Sequence, residues 1–187
     1  FYPNGGVSNP AAVARLADGR IIVAGTPGVV AILQDEEQHG YPFFTEQARW
    51  DANYGIALEL TAEEDLVLAS MHSVIKHDLA GNVLATFETP LSAFEIEIRD
   101  LTLQSDDRAL ISGVVQIDGL QRAFVSRFLT DGSLDDSFGQ GGTVVLPAVE
   151  EAAANAIAVT PDDRIIVWGR IGNSLAAFQL NADGTAD

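Results

Sequence analysis

Ala17-Asp-Gly-Arg-Ile-Ile-Val-Ala-Gly25 and Pro161-Asp-Asp-Arg-Ile-Ile-Val-Trp-Gly169 are two copies of one short segment. Two worn copies lie between them, Ala62-Glu-Glu-Asp-Leu-Val-Leu-Ala-Ser70 and Ser105-Asp-Asp-Arg-Ala-Leu-Ile-Ser-Gly113. The first apolar residue of the run is Ile21, Leu66, Ala109 and Ile165 in turn, so the steps are 45, 43 and 56 residues. In each copy a polar turn leads into a β-branched or aliphatic run, and an apolar or alternating stretch precedes the turn, at 11–16, 55–60, 98–103 and 156–159. That order predicts two buried strands joined by a tight hairpin, with Asp18-Gly19 supplying the positive φ the turn requires.

The pattern continues outward from the hairpin. A third strand is expected at 29–33, 73–78, 123–129 and 175–180, each closed by a turn such as Ala80-Gly81-Asn82, Asp131-Gly132-Ser133 or Asp183-Gly184-Thr185. A fourth strand reads at 83–87 and 143–146, and in the first copy within 43–49. Four antiparallel strands per unit, repeated at this period with no helical periodicity, predict an all-β propeller of four four-stranded blades. The expected blades are 11–54, 55–97, 98–147 and 153–187, the last completed by 1–9, within a single domain. Continuous apolar runs in the inner strands fit sheets covered on both faces by neighbours.

The two ends carry a further expectation. The linker Asp131-Gly-Ser-Leu-Asp-Asp-Ser-Phe-Gly-Gln-Gly-Gly142 joins the third and fourth strands of the third copy. Asp183-Gly-Thr-Ala-Asp187 matches its first half, and Phe1-Tyr-Pro-Asn-Gly-Gly-Val7 matches its second. Laid end to end they rebuild the linker with only a short gap. An N-terminal strand at 5–8 is therefore expected beside 175–180, closing the ring and covering an edge. The alternative is an excerpt cut at equivalent points from a longer array. The chain starts at Phe1 rather than Met, and reads as a processed, excised or partly observed segment.

With these residues in view, the third and fourth copies resemble the bacterial delta-60 repeat. Its pattern is similar to a Pro-Asp-Gly-Lys-Ile-x-Val-x-Gly hairpin followed by Asp-Gly-Ser-Leu-Asp-x-Ser-Phe-Gly-x-Gly-Gly. The matching stretches are 161–169, 181–185 and, almost without departure, 131–142, while the first copy matches at 18–25 and the second only in hydrophobic pattern. The resemblance implies a propeller-forming array in secreted or surface-exposed bacterial proteins. It implies no catalytic residues.

Composition narrows the function. Apolar residues make up 47% of the 187 and charged residues 20%, the balance of a globular chain. There is no cysteine, which removes disulfides, thiolate chemistry and cysteine-ligated zinc. No apolar run approaches the roughly 20 residues a membrane-spanning helix needs, so no membrane insertion is expected. Against 10 basic residues stand 27 acidic ones, a net charge of −17. Such a field repels phosphate backbones, so nucleic acid is not expected as a partner, whereas a basic or neutral protein, or a glycan, is.

Candidate sites divide into acidic and aromatic sets. Asp131, Asp135 and Asp136, with Ser133, gather oxygen ligands beside a glycine and resemble a calcium loop, although the full spacing of an EF-hand is missing. A turn capped through backbone N–H groups explains the same residues, and is the preferred reading, with no cofactor required. The acidic hairpins at Asp18, Asp65, Asp107 and Asp163 are expected along one rim, either as a cation surface or as solvated turns. His39, His72 and His77 show no ligand spacing. The glycine-rich stretch 139–142 lacks the lysine and the helix of a phosphate cradle, and no serine sits in a nucleophile elbow. Tyr41, Phe43 and Phe44 form the best candidate for an exposed contact cluster. Trp168, inside a β-branched run, is expected in the core. Together these features predict a non-catalytic binding or scaffolding module, with a propeller enzyme such as a calcium-dependent hydrolase or lactonase, or a structural subunit, as alternatives.

Overall fold

The computed structural model describes residues 9–26, 29–38, 41–51, 56–87, 95–146 and 151–186, with the backbone alone at 26, 29, 34–38 and 41–51. All regular structure in these residues is β. The strands are β1 (Asn9–Arg15), β2 (Ile21–Thr26), β3 (Val29–Gln38), β4 (Tyr41–Asp51), β5 (Ala57–Leu60), β6 (Leu66–Ala69), β7 (Val74–His77), β8 (Val83–Phe87), β9 (Ile96–Leu103), β10 (Ala109–Ile117), β11 (Leu120–Phe128), β12 (Thr143–Val145), β13 (Ala152–Val159), β14 (Ile165–Ile171) and β15 (Ser174–Leu180). They form four antiparallel sheets in chain order, β1 to β4, β5 to β8, β9 to β12 and β13 to β15. These are the blades of a β-propeller. Among the described residues the fourth sheet has three strands. Residues 5–8, expected to complete it, lie outside the described residues.

The repeated segment makes the same hairpin four times. Arg15 pairs with Ile21, Leu60 with Leu66, Leu103 with Ala109 and Val159 with Ile165. Each five-residue loop closes through two backbone bonds, for example Gly19 N to Leu16 O and Leu16 N to Arg20 O. The fourth loop residue takes positive φ in every copy, at Gly19 (94°), Glu64 (64°), Asp107 (63°) and Asp163 (60°). A type I turn followed by a left-handed residue is a common way to close such a loop. Glycine adopts that conformation freely, and acidic residues adopt it here because a bond described below holds them.

The glycine that ends the motif has a different cause. Strands β9 and β13 bulge opposite Gly113 and Gly169. A Cβ at Gly113 would stand 2.0 Å from the Glu97 carbonyl oxygen, and one at Gly169 would stand 1.8 Å from that of Ala153. Only hydrogen fits there.

Alternate residues of each middle strand serve different neighbours. Ile111 packs with Val67, Ala69, Phe87 and Phe124 between the second and third sheets, while Leu110 packs with Ile157, Ile165, Val167 and Phe138 between the third and fourth. A third cluster joins Ile22, Ala24 and Ile32 of the first sheet to Leu58, Leu66 and Leu68 of the second. That is why the middle strands read as unbroken apolar runs. Phe87 and Phe128 meet edge to face at 5.3 Å across the second junction. Among the described residues, no comparable packing joins the first sheet to the fourth.

Candidate functional site

The acidic hairpins do share one side of the array, and the structure gives their carboxylates two separate jobs. Asp18, Asp106 and Asp162 turn back on their own loops, where each pairs with the arginine two residues on: Arg20 at 2.7 Å, Arg108 at 2.7 Å and Arg164 at 3.0 Å. The Arg20 amide and guanidinium hold Asp18 below the usual carboxylate range, and the Thr160 hydroxyl does most to lower Asp162. Asp65 pairs instead with Lys76 at 3.0 Å.

The left-handed acids reach to the preceding hairpin. Glu64 Oε1 accepts the Ala17 N–H at 2.6 Å. Asp107 accepts the Ala62 N–H at 3.0 Å. Asp163 accepts the Ser105 N–H at 3.1 Å and the Ser105 hydroxyl at 2.7 Å. Ala17, Ala62 and Ser105 occupy the same loop position, so one latch is built three times, from sheet two to one, three to two and four to three. A charged acceptor on an otherwise orphaned turn amide is among the stronger hydrogen bonds. The rim therefore does not converge its carboxylates on one point. It uses them to clamp sheets together.

The candidate calcium loop is likewise taken up by the fold. Asp131 Oδ1 accepts the amide and hydroxyl of Ser133 at 2.9 and 2.6 Å. Asp135 is buried. Its Oδ1 accepts the Ser137 amide and hydroxyl at 3.0 and 2.6 Å, while its Oδ2 accepts Arg127 Nε at 2.8 Å and Arg108 Nη1 at 3.1 Å. Burial pushes the Asp135 carboxyl up, but Ser137 and the two guanidinium groups outweigh it and hold it below the ordinary value. Asp136 faces solvent. The three aspartates thus do not meet, and a cation at Asp135 would have to displace two guanidinium groups. Among the described residues no group of three or more His, Asp or Glu is arranged to hold a metal ion.

Arg127 is the residue that sequence reasoning missed. It is 3% exposed, lies 4.7 Å over the Phe138 ring, and donates to Asp135, to Gln104 Oε1 at 3.3 Å, to Ser137 Oγ at 3.2 Å and to the Ala182 carbonyl of the fourth sheet's closing turn. One guanidinium thus ties the 131–142 linker to both the third and fourth sheets. The available signal was an arginine in the otherwise apolar end of a strand, eight residues before an aspartate in a repeated motif.

The remaining candidates lie elsewhere. Tyr41, Phe43 and Phe44 fall on β4, the outer strand of the first sheet, where the backbone pairs them with Gln38, Glu36 and Asp35. Their side chains, and His39, lie outside what the structure describes. Trp168 is not in the core as expected: it is 49% exposed on the outer face of the fourth sheet. His77 is buried, and burial lowers its pKa. His72 lies at the end of the strands opposite the hairpins, its Nδ1 2.9 Å from the Ile96 carbonyl oxygen. There it lines a cleft of about 260 Å³ with Met71, Glu95, Glu97, Gln116 and Gln121. No helix among the described residues is long and apolar enough to cross a membrane.

Comparison with known proteins agrees with the architecture. A family model described as "Domain of unknown function (DUF5122) beta-propeller" matches residues 104–138. No curated protein matches. Among solved structures, a protein of unknown function from Bacteroides caccae superposes with a TM-score of 0.54 at 15% identity, over 96% of this chain and 59% of that one. A bifunctional GH43-CE protein of Bacteroides eggerthii gives 0.47 at 11% identity, over 90% of this chain and 23% of its own. The chain therefore spans less than two thirds of either.

Proposed function

We propose that this chain is a non-catalytic binding or scaffolding propeller module of a secreted or envelope-associated bacterial protein. The observation that supports this most is the use made of its acids. Glu64, Asp107 and Asp163 clamp hairpins, and Asp135 pairs with the buried Arg127 and the partly exposed Arg108, so the residues with the best claim to chemistry are engaged in holding the fold. A propeller then offers rigid faces and loops for contact. The net charge of −17 favours a basic or neutral protein, or a glycan, over nucleic acid. Tyr41, Phe43 and Phe44, on the outermost strand of the first sheet, form the contact surface, and residues 5–8 complete the fourth sheet to close a four-bladed ring.

A capture experiment from the native source, run with the parent chain and with Phe43→Ala and Phe44→Ala, tests the assignment. Recovery of a partner is expected to drop about tenfold or more in the variants, as for an aromatic anchor, and to weaken as salt rises. An empty or unchanged partner set removes the contact role from this cluster. Turnover that disappears with His72→Ala or Glu95→Gln, in the cleft at the far end, would transfer the assignment to a propeller enzyme.

A further inference from the structure

The cleft at the end of the strands opposite the hairpins is built from two neighbouring sheets in the interior of the array. The third sheet supplies its floor. Register sets Glu97 opposite Val114 and Gln116 opposite Gln121, and the Gln116 amide donates to the Glu95 carbonyl at 3.0 Å. Glu95, Glu97, Gln116 and Gln121 therefore share one face of that sheet. The second sheet supplies the wall. Its loop between β6 and β7 lies along the edge of β9 that no strand of the third sheet covers. There the Ile98 amide donates to the Met71 carbonyl at 2.7 Å, and His72 Nδ1 meets the Ile96 carbonyl. Ser70 and Ser73 brace the loop, hydroxyl to hydroxyl at 2.7 Å and Ser73 N–H to Ser70 Oγ at 3.0 Å. The walls are thus fixed before any ligand arrives.

The cleft is rich in acceptors. A carbonyl only accepts, so His72 Nδ1 carries the proton of the neutral ring and Nε2 is left as an acceptor. Glu97 shares its charge with Arg99, 3.4 Å away, which also holds Asn155. Gln121 Oε1 accepts Arg170 Nη2 at 3.1 Å, which leaves that amide to donate to a carbonyl. Among the described residues the Glu95 carboxylate makes no hydrogen bond or ion pair. No basic side chain is among the lining residues. Met71, 45% exposed, adds an apolar and adaptable surface.

We propose that this cleft seats the guanidinium group of an arginine on a basic protein partner, with Glu95 as its principal counter-ion. The acceptors of Glu95, Glu97 and His72 stand on two walls, a spread that suits the five donors of a planar fork better than a compact ammonium. A glycan brings no charge, and would shield Glu95 from water without a counter-ion, which is costly. At about 260 Å³ the cleft is smaller than pockets that enclose a drug-sized ligand, and suits a single side chain. The net charge of −17 draws a basic partner toward it. The inference rests on the reading of the chain as a binding module and adds a contact separate from Tyr41, Phe43 and Phe44.

Met71 is the single methionine of the chain, which makes the test direct. Labelling methionine with a ¹³C methyl group places one resonance in the cleft. Titration with a capped Gly-Arg-Gly peptide should shift it saturably, and the shift should shrink as salt rises. The citrulline peptide, a neutral isostere, should leave it in place, and the lysine peptide should bind more weakly. Glu95→Gln should raise the dissociation constant about tenfold. Glu97→Gln should raise it only about threefold, because Arg99 already takes part of that charge. Circular dichroism checks that each variant keeps the fold. A resonance unshifted at about 10 mM peptide, tenfold above a millimolar constant, overturns the proposal. So does an equal shift from the citrulline peptide, a stronger response to the lysine peptide, or a Glu95→Gln chain that binds as well as the parent. A larger response to spermidine assigns the cleft to free polyamines, and a response to calcium or zinc alone assigns it to a metal ion; either result also overturns the proposal. These peptides probe the cleft alone, so the proposal can fail here while the capture experiment still supports a binding module.

Discussion

Replacing Arg127 with alanine is expected to lower stability by about 3 kcal/mol, as for removal of one partner of a buried ion pair. The substitution leaves Asp135 buried with only Arg108 opposite it, and strips donors from Gln104, Ser137 and the Ala182 carbonyl. It also removes the cation from the Phe138 ring. Because Ala182 belongs to the fourth sheet's closing turn, the loss should loosen the third junction as well as the linker. Arg127→Lys keeps the charge but not the fork that reaches four partners at once, and should recover only part of the loss. Urea denaturation of the three proteins measures this. A loss below about 1 kcal/mol, the range of a surface pair, would show that the guanidinium is not the tie described here.

A comparable loss, about 3 kcal/mol, is expected for Gly169→Ala, at the upper end of overpacking costs. The obstacle is a backbone carbonyl, Ala153 O, which cannot rotate away as a side chain would. Relief requires the bulge in β13 to open, and that strand packs against the third sheet. Gly113→Ala meets Glu97 O in the same way. Gly119→Ala separates crowding from backbone conformation. Its φ is +76°, yet nothing lies within 4 Å of the added carbon, so it should cost only about 1 kcal/mol, the penalty of a left-handed residue. Thermal unfolding of the three variants gives the order. Equal losses at 119 and 169 would mean that φ, and not the bulge, fixes the motif's last glycine.

Features governed by neighbours in the chain were legible in the sequence. The hairpin registers follow from turn residues and alternation, and the expected strand at 83–87 coincides with β8 (Val83–Phe87). The fourth strand of the first copy is longer than the 43–49 expected, because Asp35, Glu36 and Glu37 extend β3 opposite it. Features governed by neighbours in space were not legible. Glu64, Asp107 and Asp163 bond amides 47, 45 and 58 residues away, and nothing local distinguishes such an acid from a solvated turn residue. Asp135 was grouped with Asp131 by proximity, yet its partners sit on β11 and in the hairpin before β10. Trp168 was misplaced for a related reason. A β-branched run signals a middle strand, but not whether a further sheet covers its second face.

The central claim is that the acidic rim clamps sheets together, and amide hydrogen exchange tests it most directly. The amides of Ala17, Ala62 and Ser105 sit in exposed hairpin loops, with no strand partner to slow their exchange. The latches predict protection at all three, and Asp107→Ala should abolish it at Ala62 while leaving Ala17 and Ser105 protected. Exchange at Ala62 that is already as fast as in an open loop, or is unaffected by that substitution, would contradict the claim and return the carboxylates to the candidates for chemistry.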